Sequence, residues 1–149
     1  MSSVEFFKLV KEHLTEDGVM VVNMNMRGNQ EGNINQYLSD TIGNVFEAEY
    51  TVDVAGSSNR ELFASGNQDI IKNLKDNIAA IEDSQLKSMM QRVLSNATEY
   101  RKGDYILTDD KAPVELLGMQ MIDELIKAEV SYYKHIYEKD GIKGLINSL

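Results

Sequence analysis

The sequence has 149 residues, a length that fits one domain and lets a chain bury roughly 68–70% of the surface that it exposes when unfolded. It contains no cysteine, which excludes disulfide bonds, thiolate metal sites and a cysteine nucleophile. With 24 acidic and 15 basic residues the net charge is −9, and a negative surface repels phosphate backbones, so we expect no nucleic-acid binding. The charge would attract a cation such as a polyamine, but acidity also simply keeps proteins soluble.

The N-terminal segment MSSVEFFKLVKEHL has neither the basic start nor the long apolar core of a signal peptide. No apolar run approaches the ~18 residues that span a membrane. We therefore expect a cytoplasmic protein that does not bind a membrane.

The N-terminal part of the chain predicts a helix, a strand and a second helix. Apolar residues near helical spacing predict the first helix between Val4 and Leu14. The segment Val19–Met26 starts with four consecutive apolar residues, which is typical of a strand covered on both faces. A polar loop follows, and a short amphipathic helix is predicted to end at Gly43.

Two further strands are predicted before residue 66. The segment Val45–Val54 alternates, and we expect Phe46, Ala48, Tyr50 and Val52 to face the core while the intervening acidic residues face solvent. The segment Asn59–Ser65 is a short strand, and the Gly-containing turn before it indicates an antiparallel hairpin.

The rest of the chain has helical periodicity. Two helices are predicted after Gly66, then an extended connector over Tyr100–Leu107, and then a long helix that runs from Pro113 toward Lys139 and ends at Gly141. The long helix has two apolar stripes, so it must be covered on two sides, by its own domain and, for the second stripe, by a partner chain if one binds. We expect one domain over residues 1–149, with an α/β sheet portion at 1–66 and a helical portion at 67–149.

Three segments carry a family resemblance: SSVEFFKLVKEHLTEDGVMVVNMN (residues 2–25), GSSNRELFAS (residues 56–65) and LTDDKAPVE (residues 107–115). They resemble segments of the spermidine synthases and their relatives, the polyamine aminopropyltransferases of the class I methyltransferase fold. The last is similar to the TDD-x-APVE motif of the bacterial branch. The sheet of this fold ends in a reversed hairpin. The resemblance thus implies an α/β fold: a partial Rossmann-like methyltransferase sheet of about three strands, the last two an antiparallel hairpin, followed by a helical C-terminal half.

The resemblance covers the C-terminal portion of the family's domain. The cofactor-binding parts of the family lie earlier: a Gly-rich turn after the first strand, an acidic residue that ends the second, and an Asp motif, with the catalytic base, after the fourth. No such Gly-rich turn between a strand and a helix occurs in these residues. We therefore expect no catalytic, cofactor-binding or metal-binding residue in this chain, and no aminopropyl transfer by it alone.

Asn23 is the first candidate substrate-binding residue. It follows an apolar strand, at the carboxyl end where ligands bind in open α/β sheets. The family usually has Gln near this position, in contact with the diamine. The family also carries a substrate-contacting Tyr between its last two strands, whereas the corresponding segment here, VAGSSN, has no aromatic residue.

Asp109 and Asp110 are the other candidates, and three interpretations apply to them. One carboxylate could bind a substrate amine. Alternatively Thr108 or one of the aspartates caps the following helix, which Pro113 at the first helical position favours. A metal site would need several more oxygen ligands than the nearby sequence supplies.

Two functions from different classes remain open. The chain could be a C-terminal fragment or split subunit of a spermidine synthase-like aminopropyltransferase, inactive alone and in need of an N-terminal half or upstream subunit. It could instead be a non-enzymatic dimerisation or binding module derived from that fold. An apolar strand without its upstream neighbour would expose one edge, and the long helix has two apolar stripes, so we expect a homodimer.

Overall fold

The structure is a computed structural model that describes residues 2–25, 31–111 and 113–148. The end of the expected strand at Met26 and most of the polar loop after it lie outside the described residues. The helices are α1 (Val4–Glu12), α2 (Ile34–Gly43), α3 (Ile70–Ala80), α4 (Ser84–Asn96) and α5 (Val114–Ser148). The strands are β1 (Val19–Met24), β2 (Ala48–Asp53), β3 (Arg60–Ser65) and β4 (Thr98–Glu99). The chain divides into two compact units, Met1–Pro113 and Val114–Leu149.

The sheet has the strand order β1-β3-β2-β4, and every neighbouring pair in it is antiparallel. Phe63 in β3 lies opposite Val21 of β1 on one side and Tyr50 of β2 on the other. The strands β1 and β2 are therefore parallel to each other, with β3 reversed between them. The expected partial α/β fold with its antiparallel hairpin is confirmed. The sheet has four strands rather than the expected three or so. The strand β4 was not predicted, because its two residues are too few to show an alternation.

One face of the sheet is covered by α1 and α2. Their apolar side chains form a core with inward-facing residues of the strands, among them Met24, Leu62 and Ala64. Both helices have polar N-caps: the Ser3 hydroxyl oxygen accepts a hydrogen bond from the Phe6 amide, and the Asn33 side chain accepts one from the Gln36 amide. These caps satisfy amides that a helix start leaves unpaired.

The prediction that β1 is covered on both faces is wrong for the described residues. Val19 and Val21 are 41% and 54% exposed, whereas Met24 is buried. Side chains alternate between the two faces of a strand, and the α1–α2 layer covers only one of them. The exposed valines belong to the opposite face.

The predicted orientation of β2 is also wrong at two positions. Glu49 and Thr51 are buried, while Tyr50 and Val52 are only half-buried. The pairing with β3 explains this, because Glu49 lies opposite Ala64 and Thr51 opposite Leu62, and directly opposed residues point to the same face. The core face of β2 is thus its polar face.

The long helix α5 forms the second unit. Gly141 has φ +63° and ψ −160°, a left-handed conformation that glycine adopts without strain and that interrupts the helix there. The expected helix end at Gly141 is thus confirmed as a break, with a second helical segment behind it. In the part of the chain that the structure describes, no helix has the length and apolar character needed to cross a bilayer.

Substitution of Leu62 tests the position of the core. Leu62 is fully buried in the middle strand, so Leu62→Ala should lower the free energy of unfolding by about 2–5 kcal/mol in urea denaturation. Leu9→Ala is the matched control, because Leu9 is 59% exposed and its truncation should change stability by about 0.5 kcal/mol or less. Equal losses in the two variants would contradict the described packing.

Candidate functional site

Asn23 lies one residue before the carboxyl end of β1 and is exposed. It is paired in register with Glu61 of β3, so its side chain is on the sheet face opposite the α1–α2 layer. An exposed amide at this end of the strand can donate and accept hydrogen bonds. Its role in substrate binding stays a prediction.

Asp109 lies at the start of α1. Its carboxylate accepts a hydrogen bond from the Ser3 hydroxyl, and its backbone N–H donates to a carboxylate oxygen of Glu5 at 3.1 Å. The adjacent Val4 amide donates to the Leu107 carbonyl at 2.9 Å. The negative charge of Asp109 is therefore near the positive end of the α1 dipole, which is a stabilising arrangement.

Asp110 is exposed in a tight turn. The amide of Lys111 donates to the Thr108 carbonyl at 2.9 Å and the amide of Thr108 to the Lys111 carbonyl at 3.3 Å. The structure thus joins the third family-like segment to the start of the first. Within the described residues no hydrogen bond connects Asn23 to either aspartate.

A buried polar cluster between α2, β2 and the connector that follows β4 was missed by the sequence analysis. Its centre is Asp40, which is fully buried. One carboxylate oxygen accepts hydrogen bonds from the Tyr100 hydroxyl at 2.7 Å and the Gly103 amide at 2.8 Å, and the other accepts from the Tyr105 amide at 3.0 Å. The connector has no regular secondary structure, and Asp40 therefore supplies the hydrogen-bond acceptors that its Gly103 and Tyr105 amides would otherwise find in a strand or helix.

Glu49 is the second carboxyl group of this cluster and is only 5% exposed. Neither of its carboxyl oxygens has a hydrogen-bond partner among the described residues. A Cβ atom added to Gly43 would come within 2.5 Å of one of them, so the carboxyl group packs directly against the last turn of α2. Burial, together with the negative charge of Asp40, raises the pKa of Glu49 to about 8.

The periodic patterns in the sequence did not show that Asp40 and Glu49 are buried. Asp40 lies on the side of α2 opposite Leu38 and Ile42, where solvent would normally be expected, and the connector covers it. The alternation of β2 placed Glu49 on the apparent polar face. The sequence does contain one sign that the end of α2 is buried. Its last residues, Ser39–Thr41 and Gly43, have short side chains or none, so other segments can pack closely against them.

The turn between β1 and α2 connects a strand to a helix, and such a turn binds anionic groups through free backbone amides at the start of the helix. Two amides at the start of α2 have acceptors within the chain: the Gly32 amide, just before the helix, donates to the Gln36 side chain at 2.7 Å, and the Gln36 amide donates to the Asn33 side chain at 3.0 Å. A Cβ at Gly32 would lie 3.5 Å from the Tyr105 ring. These two amides are therefore not open to an anionic or ribose group.

Metal ligands are not clustered either. Among the residues that the structure describes, no three His, Asp or Glu side chains come close enough together to hold an ion. The described part of the fold therefore does not bring Asp109 or Asp110 into a group of three such side chains.

The raised pKa of Glu49 predicts that its contribution to the free energy of unfolding depends on pH. The ordinary pKa of 4.5 applies to the unfolded chain, and the folded pKa is about 8. Between these values the folded state keeps a proton that the unfolded state releases, so the contribution of Glu49 to the free energy of unfolding falls as pH rises, by up to ~1.4 kcal/mol per pH unit. Glu49→Gln should be close to wild type at pH 4 and more stable at pH 8.

Glu47→Gln is the matched control for this measurement by urea denaturation across the pH range. The Lys11 ammonium is 2.7 Å from the Glu47 carboxylate and lowers the pKa of that group. Its stabilisation is therefore present above the ordinary pKa and lost as pH falls through the lowered one, so Glu47→Gln should lose stability at neutral pH. Parallel stability curves for wild type and Glu49→Gln would contradict the buried position of Glu49.

Comparison with known proteins gives one informative relative. The chain is 42% identical over 166 residues to a Bifidobacterium longum (strain NCC 2705) protein described as a probable polyamine aminopropyl transferase. The match takes in 100% of this chain and 37% of the relative, so the chain spans little more than a third of that protein's length. No family model matches the chain, and no solved structure matches it. Over its whole length, the chain is thus similar to part of a probable polyamine aminopropyl transferase.

Proposed function

We propose that this chain forms the C-terminal part of the catalytic domain of a spermidine synthase-like aminopropyltransferase. The observation that supports this most directly is the 42% identity to a probable polyamine aminopropyl transferase across the entire chain. The strand order β1-β3-β2, with β3 reversed, agrees with the reversed hairpin at the end of the methyltransferase sheet. In the reaction of the family, an amine attacks the aminopropyl donor, a C–N bond forms, the C–S bond breaks and a base takes the amine proton.

In this proposal the chain supplies one wall of the substrate crevice. Ligands bind at the carboxyl ends of strands in open α/β sheets, which is where β1 places Asn23. Asn23 would hydrogen-bond the amine substrate, and the exposed carboxylate of Asp110 would attract its positive charge. The carboxylate of Asp109 would hold the turn that carries Asp110, through its bond to Ser3.

The donor-binding residues and the catalytic base would come from the earlier part of the family's domain, in the same polypeptide or in a separate subunit. Two observations support this division. The sequence has no Gly-rich strand-to-helix turn, and the amides of Gly32 and Gln36 at the start of α2 donate to side chains of the chain itself. The expected cytoplasmic location belongs to the same proposal.

Activity and binding assays test the division. The purified 149-residue chain should give no methylthioadenosine from decarboxylated S-adenosylmethionine and putrescine. Calorimetric titration with either nucleoside should detect no binding below millimolar concentration. Adding the separately expressed preceding part of the Bifidobacterium relative should restore both signals. Turnover or submillimolar nucleoside binding by the chain alone would overturn the proposed division.

A second candidate function is a dimerisation module, and exposed apolar surface favours it. The outer edge of β1 has no strand partner in the described ranges, which leaves its backbone groups open to pairing. Within α5, the second apolar stripe is exposed at Ile122, Ile126 and Val130. Exposed apolar helix faces of this kind are typical of subunit contacts. The occupant that we propose is a second copy of this chain.

Gel filtration with light scattering tests this candidate. A dimer would have twice the monomer mass of 16.8 kDa, and Ile126→Glu should shift the equilibrium toward the monomer, because it introduces a charge into the stripe. Leu9→Glu serves as the control, since it adds the same charge to an exposed apolar position on α1. A strictly monomeric wild-type chain at tens of micromolar would rule out the dimer.

A further inference from the structure

The α3–α4 hairpin crosses the sheet face opposite α1 and α2 and is attached near its two ends. Before α3, the side-chain amide of Asn67 donates to Asp17 at 2.6 Å, and within α3 that of Asn73 donates to the same oxygen at 3.4 Å. After α4, the strand β4 follows within two residues and pairs with β2. Both attachments are polar or backbone contacts.

A cavity of about 460 Å³ lies beneath this hairpin. Its floor is formed by sheet residues such as Val52 and Phe63, and its roof by helix residues such as Leu74 and Val93. The only buried residue of the two helices within the described part of the chain is Ile78. The facing apolar surfaces are therefore separated rather than packed, and the volume is within the range of small-molecule sites.

The charged side chains that line the cavity, among the described residues, are of one sign. Among the described residues that line it, Asp17 and Asp76 are acidic and none is basic. Asp76 is paired with Lys72 at 2.9 Å. The two hydrogen bonds to Asp17 come from neutral amides and end on the same oxygen, so the second oxygen can accept from a ligand and the negative charge is not neutralised by these partners.

We propose that this cavity binds a small monoamine with an apolar body. The body would lie against Phe63 and Leu74, which removes apolar surface of both protein and ligand from water. The ammonium group would donate to Asp17 in a charge-assisted hydrogen bond, and such bonds are stronger than neutral ones. A carboxylate of the same shape would be repelled by Asp17.

The proposed site is independent of aminopropyl transfer. Val19, at the beginning of β1, lines the cavity, whereas Asn23 lies near the other end of that strand. A ligand bound under the hairpin would therefore lie outside the proposed substrate crevice. Loss of one site would leave the other intact.

The test uses three ligands that share a phenylethyl body: 2-phenylethylammonium, 2-phenylethanol and 3-phenylpropionate. Each is titrated into the full ¹⁵N-labelled chain, and Kd values are taken from amide chemical-shift changes. The amine should bind about tenfold more tightly than the alcohol, as expected for one charge-assisted hydrogen bond. The propionate should bind most weakly, and the shifted amides should be those of the cavity lining.

Two variants and a control localise the effect. Asp17→Asn should bring the amine to the affinity of the alcohol, while Asp104→Asn removes the same charge from an exposed connector position and should not. Val93→Phe fills the cavity and should weaken all three ligands at least fivefold, with an unchanged far-ultraviolet circular dichroism spectrum. Equal affinities for the three ligands, no shifts in the cavity lining, or equal effects of the two Asp→Asn changes would each overturn the proposal.

Discussion

The position of β3 between β1 and β2 is the constraint on which the first unit depends. Every residue from Arg60 to Ser65 has a partner on both sides, so this strand fixes the register of its two neighbours at once. Because side chains alternate between faces, that register decides which residues enter the core with Leu62 and Ala64. It places Met20 and Val22 over α1 and α2, and it turns Val19 and Val21 toward the opposite face. It also forces Glu49 into the core.

Glu49 and Asp40 are two buried carboxyl groups, and the fold accommodates them in different ways. An ionised carboxylate that is buried without hydrogen bonds and close to the negative charge of Asp40 is costly, so the pKa of Glu49 is raised to about 8 and the group is mostly protonated at neutral pH. Asp40 is buried as well, but its carboxylate accepts three hydrogen bonds from the connector, which compensate for the loss of water. The connector then leads to Leu107 and to the turn that carries Asp109 and Asp110. A polar core cluster therefore determines where the family-like LTDDK turn meets α1.

Sequence patterns predicted the order of the main elements, the reversed hairpin and the break at Gly141, because each has a local physical signal. They failed where a distant segment decides the outcome. The two faces of β1 could not be assigned, since its covering layers come from elsewhere in the chain, and Asp40 could not be recognised as buried because its cover is the irregular connector. The resemblance to spermidine synthases identified the relative correctly. The substrate roles of Asn23, Asp109 and Asp110 stay predictions, although Asp109 is now placed at the start of α1.

The most direct test of this account is residue-resolved amide hydrogen exchange by NMR on the full chain. A strand with partners on both sides has every amide bonded, whereas an edge strand has only alternate amides bonded. We expect continuous protection from Arg60 to Ser65 and alternating protection in β2 beyond its short pairing with β4. Alternating protection within β3 would place that strand at an edge and contradict the strand order β1-β3-β2 with β3 reversed in the middle.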